Sequence, residues 1–196
     1  MLNKNKVIAV MTFLMTLQNI SVSQVGPFYP IEAYEKGVSE YLLGFIISMN
    51  PIFYILASLV MGKQLKHVGR ISALRLGLSL ICSQLLILGL INWITNVGLF
   101  VFLSMFAQAL GGFGAGTNTT VCFSLITTFF PREKQEMIGF MEVGIGVGIL
   151  VGPLAGTLFY ELGGYTCPFW TLGFAFLFMF PVISKLKQYI LAEEEA

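Results

Sequence analysis

The chain alternates between long apolar segments and short polar connections. Six apolar segments reach the length of about 20 residues that a helix needs to cross the hydrocarbon core of a bilayer. They cover residues 7–29, 41–61, 71–93, 97–126, 137–160 and 167–185. We therefore predict an all-α membrane protein with six transmembrane helices within residues 1–189, followed by an acidic tail over 190–196.

Basic residues are distributed unequally between the two sides of the predicted bundle. The connections before the first span and after the second, fourth and sixth, with the adjoining span ends, contain Lys4, Lys6, Lys63, Lys66, Arg70, Arg75, Arg132, Lys134, Lys185 and Lys187. If successive spans alternate in direction, all of these lie on one side of the membrane, and only Lys36 lies on the other. The positive-inside rule then predicts that both termini and the acidic tail are cytoplasmic. Residues 30–40 are expected to form a solvated loop on the opposite side.

Composition excludes a water-soluble domain. Hydrophobic residues make up 56% of the 196-residue chain and charged residues 11%, and the mean hydropathy is +0.83. The net charge of +1 creates no field that would attract nucleic acid. Cys82, Cys122 and Cys167 lack metal-ligand spacing, and no nucleophile–base pair stands out in the spans. We expect neither an enzyme nor a bound cofactor or metal.

A stripe of glycines marks the fifth span. Gly144, Gly148, Gly152 and Gly156 recur every four residues, so they share one helix face that carries no side chains. A neighbouring helix can approach this face closely. Pro153 is expected to kink the helix because proline removes a backbone hydrogen bond and clashes with the preceding turn.

The run over residues 148–156 resembles the G-x3-GP-x2-G motif on the fifth helix of antiporters of the major facilitator superfamily. Further segments resemble the vesicular amine and polyamine transporter branch: Pro27-Phe28-Tyr29-Pro30 and Tyr160-Glu161-Leu162-Gly163-Gly164-Tyr165. The resemblance covers residues from about 26 to 184 and implies the amino-terminal half of the superfamily's fold, a six-helix unit of 3+3 inverted repeats. It also implies that Gly148, Gly152, Pro153 and Gly156 belong to a conformational motif.

Two further segments resemble superfamily motifs with one replacement each. Gly62, Gly69 and Arg70 match the cytoplasmic motif between the second and third helices, but Lys66 stands at its acidic position. Residues 108–116 match the glycine pattern of the fourth helix, but Gln108 stands at its basic position. In relatives that basic residue is associated with proton coupling, so the resemblance does not extend this role to Gln108.

Polar residues inside the predicted spans are candidates for a substrate site. Thr12, Thr16, Asn19 and Ser23 form a stripe on the first span. Either the stripe lines a hydrated cavity, or its side chains bond back to their own helix or across to a neighbouring helix. Glu142 is the only acidic residue inside a span, and an ionisable residue at such a position indicates function by default; capping or pairing with Arg75 or Lys134 is the alternative. The candidate substrate-binding residues are Asn19, Ser23, Asn50, Gln108, Asn118 and Glu142.

These features predict a secondary active transporter of a small organic cation, an amine or a polyamine, that works by alternating access as a proton antiporter. The expected partners are the lipid bilayer, the cation, protons, and a second six-helix half or another copy of the chain. The alternative is a half-length, non-transporting membrane partner or regulator derived from such a transporter. Either a vesicular or a plasma membrane fits the charge distribution. The internal repeat leaves only a faint trace in the sequence, with Asn50-Pro51 corresponding to Gly152-Pro153.

Overall fold

The computed structural model describes the backbone of residues 4–194 and the side chains of residues 5–185. Within this part of the chain the structure is helical and contains no strand. The helices are α1 (Lys4–Ser23), α2 (Val25–Glu35), α3 (Glu40–Val68), α4 (Arg70–Leu90), α5 (Val97–Phe129), α6 (Lys134–Gly163) and α7 (Thr166–Glu194), with a 3-10 turn at Ile91–Trp93. Six segments are long and apolar enough to cross a membrane, and α1 and α2 together form the first.

The first span extends beyond its predicted end. The loop expected over residues 30–40 is shorter in the structure, because residues 30–35 belong to α2 and only residues 36–39 connect α2 to α3. Ala33 and Val38 are buried, whereas the other side chains of residues 30–40 are exposed or partly exposed. Two prolines lie in this region. Pro27 lies in the first turn of α2, where a missing backbone N–H is tolerated, and Pro30 is accommodated within the helix.

The other end of the chain differs less from expectation. Helix α7 begins at Thr166 and continues to Glu194, so it includes most of the predicted acidic tail. Residues 195–196 of that tail lie outside the described residues.

The glycines of α5 allow α3 and α4 to approach it on two sides. A Cβ atom added at Gly112 or Gly116 would collide with the backbone carbonyls of Asn50 and Tyr54 on α3. On α4, a Cβ atom added at Gly114 would lie 2.7 Å from the carbonyl oxygen of Gly77. Any side chain at these positions would therefore separate the helices.

The glycine stripe of α6 packs against α1. A Cβ atom added at Gly144 would lie 2.8 Å from Thr16 Oγ1, and one at Gly148 would lie 2.8 Å from Asn19 Cβ. All four stripe glycines are buried, whereas Gly146 on the same helix is exposed with no heavy atom nearby. The polar stripe of the first span and the glycine stripe of the fifth are thus the two sides of one interface.

The helix pairs show the internal symmetry that the sequence barely retains. The first span packs against the fifth, through α1 and α6, and the fourth packs against the second, through α5 and α3. Exchanging the first span with the fourth and the second with the fifth converts one pair into the other, as expected for 3+3 inverted repeats. Pro51 and Pro153 lie in the two exchanged helices α3 and α6. The third and sixth spans, α4 and α7, pack against each other.

Candidate functional site

Three carboxamide side chains from three helices meet inside the bundle. Asn50 Nδ2 on α3 lies 3.4 Å from Gln108 Oε1 on α5, and Gln84 Nε2 on α4 lies 3.1 Å from the same oxygen. Asn50 Nδ2 also donates to the backbone carbonyl of Gln108 at 3.4 Å. We refer to Asn50, Gln84 and Gln108 as the amide cluster. It contains no charged residue, and Gln84 and Gln108 are 4% and 3% exposed.

Glycines of α5 make room for this cluster. Gly112 allows the backbone of α3 at Asn50 to contact α5, and the side chain of Gln84 occupies the space that a Cβ atom at Gly111 would fill. Asn50 directly precedes Pro51 within α3, and the missing N–H of Pro51 leaves one backbone carbonyl of the preceding turn without its helical partner. The cluster therefore lies next to the proline of α3, where the backbone of α3 closely approaches α5.

Asn118 was a sequence candidate, but it does not join the amide cluster. Its side chain is fully buried against Gly77 of α4, which has no side chain to keep it away. Within the described residues, neither its amide nitrogen nor its amide oxygen has a hydrogen-bond partner. Asn118 is a second polar group between α4 and α5.

Asn19 and Ser23 lie at the interface between α1 and α6. Asn19 Nδ2 donates to the carbonyl of Met15 at 2.8 Å, and Ser23 Oγ donates to the carbonyl of Gly148 at 3.2 Å. Asn19 thus bonds back to its own helix and Ser23 bonds across to α6, so neither side chain requires a hydrated cavity.

The beginning of the same polar stripe packs against Gly144 and also borders a groove. Thr12 and Thr16 border an open groove of about 520 Å³ between α1 and α6. The other lining residues are Asn5, Ile8, Ala9, Phe13, Glu136 and Phe140. Thr16 Oγ1 donates to the carbonyl of Thr12 at 2.9 Å, so its hydroxyl group bonds back to its own helix.

Gln18 connects α1 to α5 and was not among the sequence candidates. Its side-chain nitrogen lies 3.2 Å from Thr119 Oγ1 and 3.4 Å from the carbonyl of Ala115. Because α1 and α5 otherwise touch little, this buried amide is the main polar connection between the α1–α6 pair and the α3–α4–α5 group.

Glu142 is exposed on α6, away from the glycine stripe. No hydrogen bond or ion pair joins it to another described residue, including Arg75 and Lys134. Arg75 instead donates to Ser184 Oγ of α7 at 2.9 Å. The structure therefore does not bring Glu142 together with the amide cluster, and it provides neither of the pairing partners considered from the sequence.

The motif between the second and third spans forms a tight turn. Gly69 alone joins α3 to α4, and its φ of 80° lies in the left-handed region that favours glycine. Arg70 donates to Thr128 Oγ1 at 3.1 Å and lies 5.3 Å from the centre of the Phe129 ring on α5. Gly62 lies on an exposed part of α3 with no neighbouring heavy atom.

A second unpredicted cluster stabilises the opposite end of the bundle. Lys36 Nζ donates to the carbonyls of Asn92 and Ile94 at 2.9 and 3.0 Å, and it lies 3.2 Å from Glu32 Oε1. The Lys36 and Glu32 side chains are only 15% and 14% exposed. The two hydrogen bonds of Lys36 connect the end of α2 to the segment between α4 and α5. The only sequence signal was the i, i+4 spacing of Glu32 and Lys36.

No group of three or more metal-ligating side chains occurs in the part of the chain that the structure describes. The polar groups that the bundle gathers are amides and hydroxyls, which can both donate and accept hydrogen bonds. Those of the amide cluster come from three neighbouring helices, α3, α4 and α5.

Comparison with known proteins decides the family. Residues 8–188 match the family model described as Major Facilitator Superfamily. The chain belongs to the major facilitator superfamily. The chain is therefore a multi-pass membrane protein, and its six apolar helices form one half of the superfamily's fold.

The curated proteins that the chain matches are longer than the chain. The mouse (Mus musculus) MFS-type transporter SLC18B1 is 32% identical over 163 residues, which cover 83% of this chain and 36% of the relative. The human (Homo sapiens) protein of the same name is 29% identical over 174 residues, or 89% and 37% of the two chains. The multi-drug resistance efflux pump PmrA of Streptococcus pneumoniae is 29% identical over 174 residues, or 86% and 41%. The chain thus spans well under half the length of the curated relatives that it matches.

Proposed function

We propose that the chain forms one wall of a secondary active transporter that moves a small organic cation, an amine or a polyamine, in exchange for protons. The amide cluster of Asn50, Gln84 and Gln108 is the observation that carries this proposal. It places uncharged hydrogen-bonding groups inside the membrane-spanning part of a superfamily half. In the superfamily's fold, substrate binds near the bilayer midplane between two such halves.

The absence of positive charge in the cluster supports a cationic substrate. Gln108 stands where the related pattern has a basic residue, and the cluster contains amides alone. A cation that enters a low-dielectric site beside a second positive charge is strongly repelled, whereas a carboxamide oxygen can accept a hydrogen bond from an ammonium group. Asn50 Oδ1 has no partner among the described residues, so this oxygen is free to accept such a bond.

Glu142 is our candidate for the exchange of protons against the cation. A single carboxylate that binds either a proton or an ammonium group couples the two movements, because it cannot hold both at once. Glu142 is exposed on this half and unpaired in the described part of the chain. This exposure supports a position of Glu142 that faces the second six-helix half of the transporter. An acidic side chain in contact with lipid would instead cost free energy of solvation.

Proton-gradient-driven uptake of radiolabelled spermidine into proteoliposomes containing only these 196 residues tests this function. The oligomeric state is measured in the same preparation. Uptake above protein-free liposomes is expected if two copies build a complete transport path. If the chain is a single wall, uptake appears only with a second six-helix half, such as the carboxyl-terminal half of the mouse relative. Folded protein with no uptake in either arrangement would contradict the proposal.

The non-transporting alternative has its own support. Lys66 and Gln108 both replace residues of superfamily motifs, and a chain that has lost transport has no need of either. On this alternative the chain would bind a partner in the membrane without moving a substrate. The uptake experiment distinguishes the two functions.

A further inference from the structure

The four-residue repeat of the glycine stripe continues toward the beginning of α6, but with large side chains. Counting back from Gly144, the next two positions of the repeat are Phe140 and Glu136, and both side chains are exposed. At Gly144 the absence of a side chain lets α6 contact Thr12 and Thr16 of α1 closely. Beside the two larger side chains lies the open groove of about 520 Å³, which we call the α1–α6 groove.

The α1–α6 groove extends from the edge of the membrane-spanning part into the first span. Asn5 and Glu136 precede the starts of the first and fifth spans predicted from the sequence, whereas Thr16 lies well inside the first span. The side chains of Phe13 and Phe140 are 58% and 53% exposed, and those of Asn5 and Glu136 are exposed as well. A ligand can therefore enter at a polar end and contact apolar side chains further in.

The polar end of the groove carries a negative charge. Among the described residues that line the groove, Glu136 is the one ionisable side chain. Glu136 also interacts with another group of the protein, but a carboxylate has two oxygens with about four lone-pair positions, so it can accept a further hydrogen bond. Asn5 contributes a carboxamide, whose oxygen accepts hydrogen bonds too. The groove therefore attracts a cationic hydrogen-bond donor and repels an anion.

The remaining lining residues favour an apolar group attached to the cation. Ile8, Phe13 and Phe140 offer apolar surface, and aromatic ring faces also attract ammonium groups. The volume of about 520 Å³ lies within the range of about 300–1,000 Å³ that is typical of small-molecule sites. The groove is separate from the amide cluster, since α1 and α6 line the groove and the cluster lies on α3, α4 and α5.

We propose that the α1–α6 groove is a binding site for a free organic ammonium ion with an apolar body, such as an arylalkylammonium ion. The ammonium group binds to Glu136, and the apolar body lies against Phe13 and Phe140. The ligand stays partly solvated because the groove is open, so each contact changes the affinity by a small factor. This inference goes beyond the proposed function, because it concerns binding alone and holds whether or not the chain transports a cation.

Protection of a cysteine in the groove from labelling tests the site. Ala9→Cys is made in a chain whose three native cysteines are replaced by alanine, because Ala9 is exposed and lines the groove. The purified 196-residue chain in a non-ionic detergent is treated with a membrane-impermeant thiol reagent in the presence of phenethylamine or the uncharged analogue phenethyl alcohol. We expect phenethylamine to slow labelling about threefold or more, and the alcohol at the same concentration less than about 1.5-fold, because only the amine is charged.

Two matched variants control this experiment. Gly139→Cys replaces Ala9→Cys as the labelled position, since Gly139 is exposed on α6 and does not line the groove, and neither compound should slow its labelling. Glu136→Gln should raise the half-protective concentration of phenethylamine about two- to fivefold, the usual effect of losing an exposed ion pair. Glu133→Gln removes a carboxylate three positions earlier that does not line the groove, and it should leave this concentration unchanged within about 1.5-fold.

The opposite results would each overturn the site. Equal protection by the amine and the alcohol would show an apolar groove without preference for a cation. No labelling of the Ala9→Cys variant without ligand would show that water does not reach the groove. Protection by added phosphatidylethanolamine but not by phenethylamine would assign the groove to a lipid. An unchanged half-protective concentration in folded Glu136→Gln would remove this carboxylate from the site, and if that variant does not fold, the comparison of amine with alcohol still decides.

Discussion

At the scale of single residues, the clearest prediction concerns the effect of replacing Glu142 on proton-driven uptake. Glu142→Gln keeps the size of the side chain but removes the charge that binds a cation or a proton, so we expect roughly a tenfold or greater loss of proton-driven spermidine uptake. The matched control is Glu161→Gln, which removes an exposed carboxylate near the other end of the same helix. Unchanged uptake and unchanged pH dependence in Glu142→Gln would remove Glu142 from the transport path.

Single residues are also where sequence reasoning reached its limit. Asn50 and Gln108 could be selected because a proline or a glycine pattern surrounds them. Gln84 offered no such signal, since one amide in an apolar helix is as consistent with a lipid-exposed residue as with a core residue. Its partner is 24 positions away and on another helix. Lys36 was likewise assigned to a solvated loop, whereas its ammonium group bonds to carbonyls of the connection before α5.

At the scale of elements, the α1–α6 interface depends on the absence of side chains. Gly152→Leu is expected to lower the free energy of unfolding by about 1–3 kcal/mol or more, because a side chain there overlaps Ser23 and the carbonyl of Ile20 on α1. Gly146→Leu is the matched control, since Gly146 lies on the same helix with nothing within 4 Å. Thermal unfolding in detergent measures both variants. Equal stability of the two would show that the stripe does not need to be free of side chains.

Elements were the most predictable level of the structure. Six long apolar segments identify the spans because a bilayer requires a minimum length, and the four-residue spacing of glycines identifies a packing face because a helix repeats every 3.6 residues. The identity of the helix that packs against this face could not be predicted from the sequence, because the glycine spacing describes only one of the two helices in the contact. The structure supplies α1, whose polar stripe the sequence had already marked.

At the scale of the whole molecule, two helix pairs repeat the same arrangement. α1–α6 and α3–α5 each rest on glycines of one helix, and Gln18 connects the first pair to α5. The hydrogen bonds of the amide cluster lie among α3, α4 and α5, so the proposed binding groups belong to one side of the half. Transport then requires movement of this unit relative to a second wall, which is how repeat-based transporters expose a fixed site to either side.

The central claim is that the amide cluster faces the transport path, and thiol labelling tests it most directly. Asn50→Cys and Ser48→Cys are made in a chain whose native cysteines, Cys82, Cys122 and Cys167, are replaced by alanine. Ser48 is the matched control because it lies two positions away on α3, on an exposed face, and bonds only to its own helix. In the transporting assembly, we expect a membrane-impermeant thiol reagent to label the Asn50→Cys variant and spermidine to slow this labelling at least severalfold, with no effect of spermidine on the Ser48→Cys variant. Labelling of the Asn50→Cys variant that spermidine leaves unchanged, or no labelling of it at all, would contradict the claim.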